Sequence, residues 1–119
     1  MDLQDLGRRA KAAPSYREIP GMSTLPDEYG RTFRLWSPQS PRKWVQESGP
    51  ILRCSPNVAT LLPDFSDHAT LWALVGLVIA DGYTMTPATA SQPCGFSFGA
   101  RVYHGASLAE TVVFALEGM

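Results

Sequence analysis

A chain of 119 residues, 45% hydrophobic and 18% charged, is long enough to enclose one modest core and too short for two. Its formal charge of −1 argues against a strongly basic nucleic-acid-binding domain. Its apolar run Ala69–Ala80 falls short of the roughly 20 residues a bilayer span requires.

The charge is unevenly divided. Residues 1–53 carry nine Lys and Arg against six acids, a net of +3, and residues 54–119 carry Arg101 against five acids, a net of −4. The opening residues lack the charged-then-apolar order of a secretory leader, so a soluble cytoplasmic protein is expected. In that compartment Cys54 and Cys94 are expected to be thiols, with a disulfide between them as the alternative.

Asp2–Ala13 reads as a short helix with Leu3 and Leu6 on one face and Arg8, Arg9 and Lys11 towards the C-terminal end of the dipole. Pro14 stops it. The loop-like text that follows holds isolated apolar anchors at Tyr16, Ile19, Met22 and Leu25, so residues 1–30 read as a helix and an extended arm pinned to the body. Thr32–Trp36 alternates and is aromatic, which predicts a strand. Ser37–Arg42, with two prolines, predicts a loop, Ile51–Cys54 a second strand, and residues 55–66 another loop.

Asp67–Gly82 carries helix signals at both ends, with Ser66 or Asp67 as N-cap and Gly82 as the stop. Nothing in it ionises between its first turn and Asp81, so the helix is expected to be covered on every side. Gly76 in mid-helix costs about 1 kcal/mol relative to alanine and hints at close approach by another element. Tyr83–Thr86 and Phe96–His104 read as the strands of a hairpin, the second placing Phe96, Phe98, Ala100 and Val102 on one face. Ser107–Glu110 is a capping box, followed by the helical stripe Leu108, Val112, Ala115 and Leu116. The fold expected is α+β in one domain, residues 1–119. A small antiparallel sheet of three or four strands carries the two C-terminal helices on one face, and the N-terminal half is rich in loops.

Four side chains suit zinc: Cys54, His68, Cys94 and His104. They contain no closely spaced pair that would preorganise two ligands on one turn, so no metal site and no cofactor are expected. Cys94 and His104 would lie roughly 30 Å apart if the chain between them were one straight strand, which weighs against a thiol–imidazole pair. Cys54 with His68 leaves a thiol-dependent enzyme as a third, less favoured reading. Asp64 and Asp67 suit the start of a helix better than acid–base chemistry. The segment most suggestive of binding is 31–53. It interleaves Arg31, Arg34, Arg42, Lys43 and Arg53 with Phe33, Trp36 and Trp44, a mixture that can stack on bases and pair with phosphates. Core aromatics with a solvated basic rim are the favoured account, since the helices need something aromatic to lie on.

Two passages carry a family resemblance. Ser37–Leu52, with its Ser-Pro, Trp44-Val-Gln46 and Gly49-Pro50-Ile51-Leu52, is similar to the Ser-Pro…Trp-x-Gln-x-Gly-Pro-Ile-Ile passage of small NinX-like phage proteins. Gly105–Leu116 resembles the terminal helix of that group and of other short prophage proteins, some of which also carry an Asp-x-Ala-Thr-Leu helix like Asp67–Leu71. The chain departs from the pattern by an inserted pair of residues before Trp44 and through most of 55–94. The resemblance implies a phage or prophage setting, hence host cytoplasm, and no reaction. The function expected is that of a non-enzymatic accessory protein binding another protein, such as a host or defence factor. Nucleic acid bound through 31–53 is the alternative; self-association is left open and no membrane contact is expected.

Overall fold

The computed structural model describes residues 1–36, 44–86, 90 and 95–118. In chain order the elements are helix α1 (Leu3–Ala12), strands β1 (Thr32–Leu35) and β2 (Trp44–Ser48), a single 3₁₀ turn (Val58–Thr60), helix α2 (His68–Ala80), strands β3 (Thr84–Thr86), β4 (Gly95–Phe98) and β5 (Arg101–His104), and helix α3 (Leu108–Gly118). The class is α+β, as expected. The strands divide between two antiparallel sheets, β1–β2 and β3–β4–β5. Helix α3 lies against β4 and β5, with α1 and α2 packed against α3. The loop expected at Ser37–Arg42 lies outside the described residues.

The helix ends follow the sequence signals. Asp2 accepts from the Asp5 N–H at 2.7 Å, and Asp67 accepts from the Thr70 N–H at 2.9 Å. Each carboxylate satisfies one of the free amides of a first turn. Gly82, at φ +104°, ends α2 in the left-handed conformation that glycine adopts without a Cβ penalty. At α3, Ser107 Oγ accepts from the Glu110 N–H, while the Glu110 carboxylate reaches back to the N–H of Ala106, one residue before the expected partner. In α1 the buried face is Leu6, Gly7 and Ala10, with Leu3 exposed. Gly7 is required there: a Cβ would meet the Pro63 carbonyl oxygen at 2.9 Å.

The N-terminal arm is anchored as its apolar residues suggested. Met22 is fully buried, and Tyr16 and Ile19 pack on the core. The arm joins β1 through the Ser23–Arg34 bridge and the 59–63 region through the Thr24–Pro63 bridge. Buried Thr70 ties it to α2, its hydroxyl accepting from the Ser23 N–H at 2.7 Å and donating to Asp67 at 2.8 Å.

Three expectations need correction. The second strand is Trp44–Ser48 rather than Ile51–Cys54, and it pairs with β1, with Leu35 opposite Trp44 and Phe33 opposite Gln46. Ile51–Cys54 is exposed and forms no strand, because Gly49 (φ +99°) and Pro50 break the chain ahead of it. Secondly, Phe96–His104 is two strands: Gly99–Ala100 is a turn, and Phe96 pairs with Tyr103 while Ser97 pairs with Val102. The reversal moves Val102 to the opposite face from Phe96 and brings Tyr103 beside it. A period of two continues by chance across a two-residue turn, so alternation alone could not reveal the reversal.

The third correction concerns α2. Thr70, Leu74, Val75, Leu77 and Val78 are buried, but Ala69, Trp72, Gly76, Ile79 and Ala80 are exposed. One apolar face of the helix is bare. Composition measures how apolar a helix is and says nothing of how many neighbours a small domain has to place around it.

Candidate functional site

Of the expected 31–53 set, the structure turns two arginines inward. Arg31 is 2% exposed. Its Nε donates to Asp27 Oδ2 at 2.9 Å and its Nη1 to the Cys54 carbonyl at 2.7 Å, and the guanidinium lies 5.3 Å from the ring centres of both Tyr29 and Phe33. Burial opposes ionisation of Asp27, but bonds from the backbone N–H and guanidinium of Arg31 and from the Tyr29 N–H outweigh it, holding the carboxyl below its usual range.

Arg34 on β1 is a junction. Nη1 donates to the Gly21 carbonyl at 2.6 Å, Nη1 and Nη2 grip both Asp67 oxygens at 3.2 and 3.0 Å, and Nε and Nη2 reach Glu47 of β2. The bonds to Asp67, then those to Glu47, raise the Arg34 pKa further above its already high value. Trp36 is 74% exposed, Trp44 is half-buried on β2, and Arg53 is exposed. Arg42 and Lys43 lie outside the described residues. The described part of the set therefore holds two arginines compensated by carboxylates within the fold, and the structure does not bring its members into one open cationic strip.

Among the described residues no group of three His, Cys, Asp or Glu could hold a metal ion. Cys54 carries a free, exposed thiol beside a cleft of about 420 Å³ lined by Asp27, Tyr29 and Arg31, with no histidine among its described lining residues. His104 lies directly opposite Gly95, so the distance argument against a Cys94–His104 pair fails with the straight strand on which it rested. Cys94 itself lies outside the described residues. Asp64 and Asp67 are engaged by the turn and cap, Asp64 accepting from both the N–H and the hydroxyl of Ser66.

The bare face of α2 is the feature that remains. Trp72, 54% exposed, and Ile79, 46% exposed, stand along one side of it. Ala69, Ala73, Gly76 and Ala80 run down the middle at the 4-3-4 spacing of a helix–helix seam. On the other side Ala73, Gly76, Leu77 and Ala80 form one wall of a groove of about 440 Å³, and Arg17–Pro20 form the other. Gly76 differs from Gly7 in kind: a Cβ built on it meets no other atom within 4 Å. Gly76→Ala is accordingly expected to raise the unfolding free energy by about 0.5–1 kcal/mol in the isolated monomer, read by urea titration. The spacing of these residues was visible in the sequence; their exposure was not.

Among the described residues no helix is long and apolar enough to cross a membrane. No family model, curated protein or solved structure matches the chain.

Proposed function

We propose that this protein is a non-enzymatic accessory factor that works by binding protein, and that the contact is made by the bare face of α2. The observation that carries the reading is the exposure of Trp72 and Ile79 around a glycine whose missing side chain serves no contact within the fold. One large exposed aromatic and an isoleucine flanking small residues suit a helix-docking surface, where an aromatic anchor supplies most of the binding energy and small residues allow close approach. The compensation of Arg31 and Arg34 by Asp27, Glu47 and Asp67 weighs against phosphate recognition by the 31–53 segment. The similarity of Ser37–Leu52 and Gly105–Leu116 to NinX-like phage proteins supports a phage or prophage setting.

A photo-reactive phenylalanine analogue in place of Trp72 tests the reading in cell extract. Discrete protein adducts are expected from position 72 and none from a control at exposed Arg8. Equal, diffuse labelling from both positions would defeat it.

A further inference from the structure

Resting on the reading that α2 docks protein, we infer that the occupant of its bare face is a second copy of this chain, packed antiparallel with Gly76 on the two-fold axis. A two-fold contact uses the same patch twice, so the patch must be complementary to itself in shape and in charge. The α2 surface satisfies both requirements.

Shape comes first. Trp72 and Ile79 lie on one flank of the helix, four residues before and three residues after Gly76. An antiparallel partner centred on that glycine sets Trp72 beside the partner's Ile79, and the reverse, so that each exposed side chain covers the other. Along the seam Ala69, Ala73, Gly76 and Ala80 present no side chain larger than a methyl, which permits the close axial approach that small residues allow between helices. The glycine then sits where two backbones come nearest, and its cost to the helix gains a reason outside the monomer.

Charge singles out a copy over an arbitrary apolar partner. The α2 face carries no ionisable group between His68 and Asp81. Its groove flank is bordered by adjacent charges of opposite sign, Arg17 and Glu18, and among the described residues neither joins an ion pair within the chain. In the antiparallel arrangement the two groove flanks meet on the same side of the pair. Arg17 then faces the partner's Glu18 twice across the axis. The parallel arrangement separates those flanks and aligns the helix dipoles unfavourably. A 13-residue helix is about 20 Å long, so the contact is smaller than a standard interface of about 1,600 Å² and the dimer is reversible.

Sedimentation of the full chain from about 1 µM to about 1 mM tests the inference. The wild type is expected to pass from monomer to dimer within that range. Gly76→Arg should remain monomeric with an unchanged far-ultraviolet circular dichroism spectrum, since its side chain starts in open space. Arg17→Glu should weaken association roughly tenfold, and Arg17→Glu with Glu18→Arg should restore it. A wild type that stays monomeric throughout overturns the inference, as does a dimer indifferent to Gly76→Arg. Should the chain be monomeric while the crosslinker at position 72 still captures a different protein, the docking face stands and the second copy falls. Failure of both experiments removes the docking reading itself.

Discussion

Replacing Phe96 with alanine will lower the unfolding free energy by about 3–5 kcal/mol, the largest effect expected of a single substitution in this chain. Phe96 is fully buried in β4, the middle strand of the three-stranded sheet, between Met85 of β3 and Tyr103 of β5. Helix α3 lies on that strand and carries Val112, Val113 and Leu116, all fully buried, in the same apolar cluster. The ring is therefore enclosed from its two neighbouring strands and from above, and the surroundings can collapse only partly into the space it leaves. Phe98, two residues further on and on the same face, supplies the control. It is half-exposed, packs on Tyr83 at 5.3 Å between ring centres, and its loss should cost about 1 kcal/mol. Urea titrations of the two variants decide the matter. A Phe96 variant no weaker than the Phe98 variant would mean that α3 is not held by this sheet.

Legibility in the sequence followed the range of the physics involved. The start of α2 is written in Asp67 and its end in Gly82, because a cap is a contact between residues three or four apart. The same holds for Ser107 and Glu110 at α3 and for Asp2 at α1. Pairing partners are long-range and were harder to see. The residues that pair with β1 lie beyond a proline-rich stretch, and Trp44–Ser48 offers only Trp44 and Val45 as apolar residues, so Ile51–Cys54 looked the better strand although Gly49-Pro50 isolates it. For the site, the 31–53 segment drew attention through its charges. Whether an arginine is free depends on acids distant in sequence, such as Asp67 for Arg34, 33 residues away. The α2 face presented the opposite problem. The spacing of Ala69, Trp72, Gly76, Ile79 and Ala80, exposed around half-buried Ala73, is plain in the chain, but an apolar helix with one bare side and one buried on all sides have the same composition.

Arg34→Leu should cost about 2 kcal/mol, and the loss should be shared with Asp67. Charge-assisted hydrogen bonds contribute about 1.5–3 kcal/mol each in favourable settings, but both partners are partly open to water, which replaces some of what is removed. Asp67→Asn separates the two duties of that carboxylate. Asparagine caps a helix about as well as aspartate, so the cap on Thr70 survives while the charge facing Arg34 is lost. A double-mutant cycle between Arg34→Leu and Asp67→Asn is expected to return about 1 kcal/mol of coupling. Strict additivity would mean that the two groups meet without stabilising each other. The acid limb offers an independent check. Partial burial of Asp67 works against its ionised form, and the bonds from Arg34 and Thr70 outweigh that penalty, so its folded pKa is held below the ordinary carboxylate range. A carboxyl with a depressed folded pKa gives its full stabilisation above the unfolded value of about 3.9 and loses it as the pH falls through the folded value. The wild type should thus lose stability below about pH 4 more steeply than Asp67→Asn, and added salt should narrow the gap between them. Since Arg34 also reaches Glu47 on β2 and the Gly21 carbonyl on the arm, its removal should loosen the β1–β2 sheet from α2 before the C-terminal sheet opens. Amide exchange at Val45, opposite Arg34 in the β1–β2 ladder, rising well ahead of that at Ser97 would register the order, and simultaneous exchange at both would refute it.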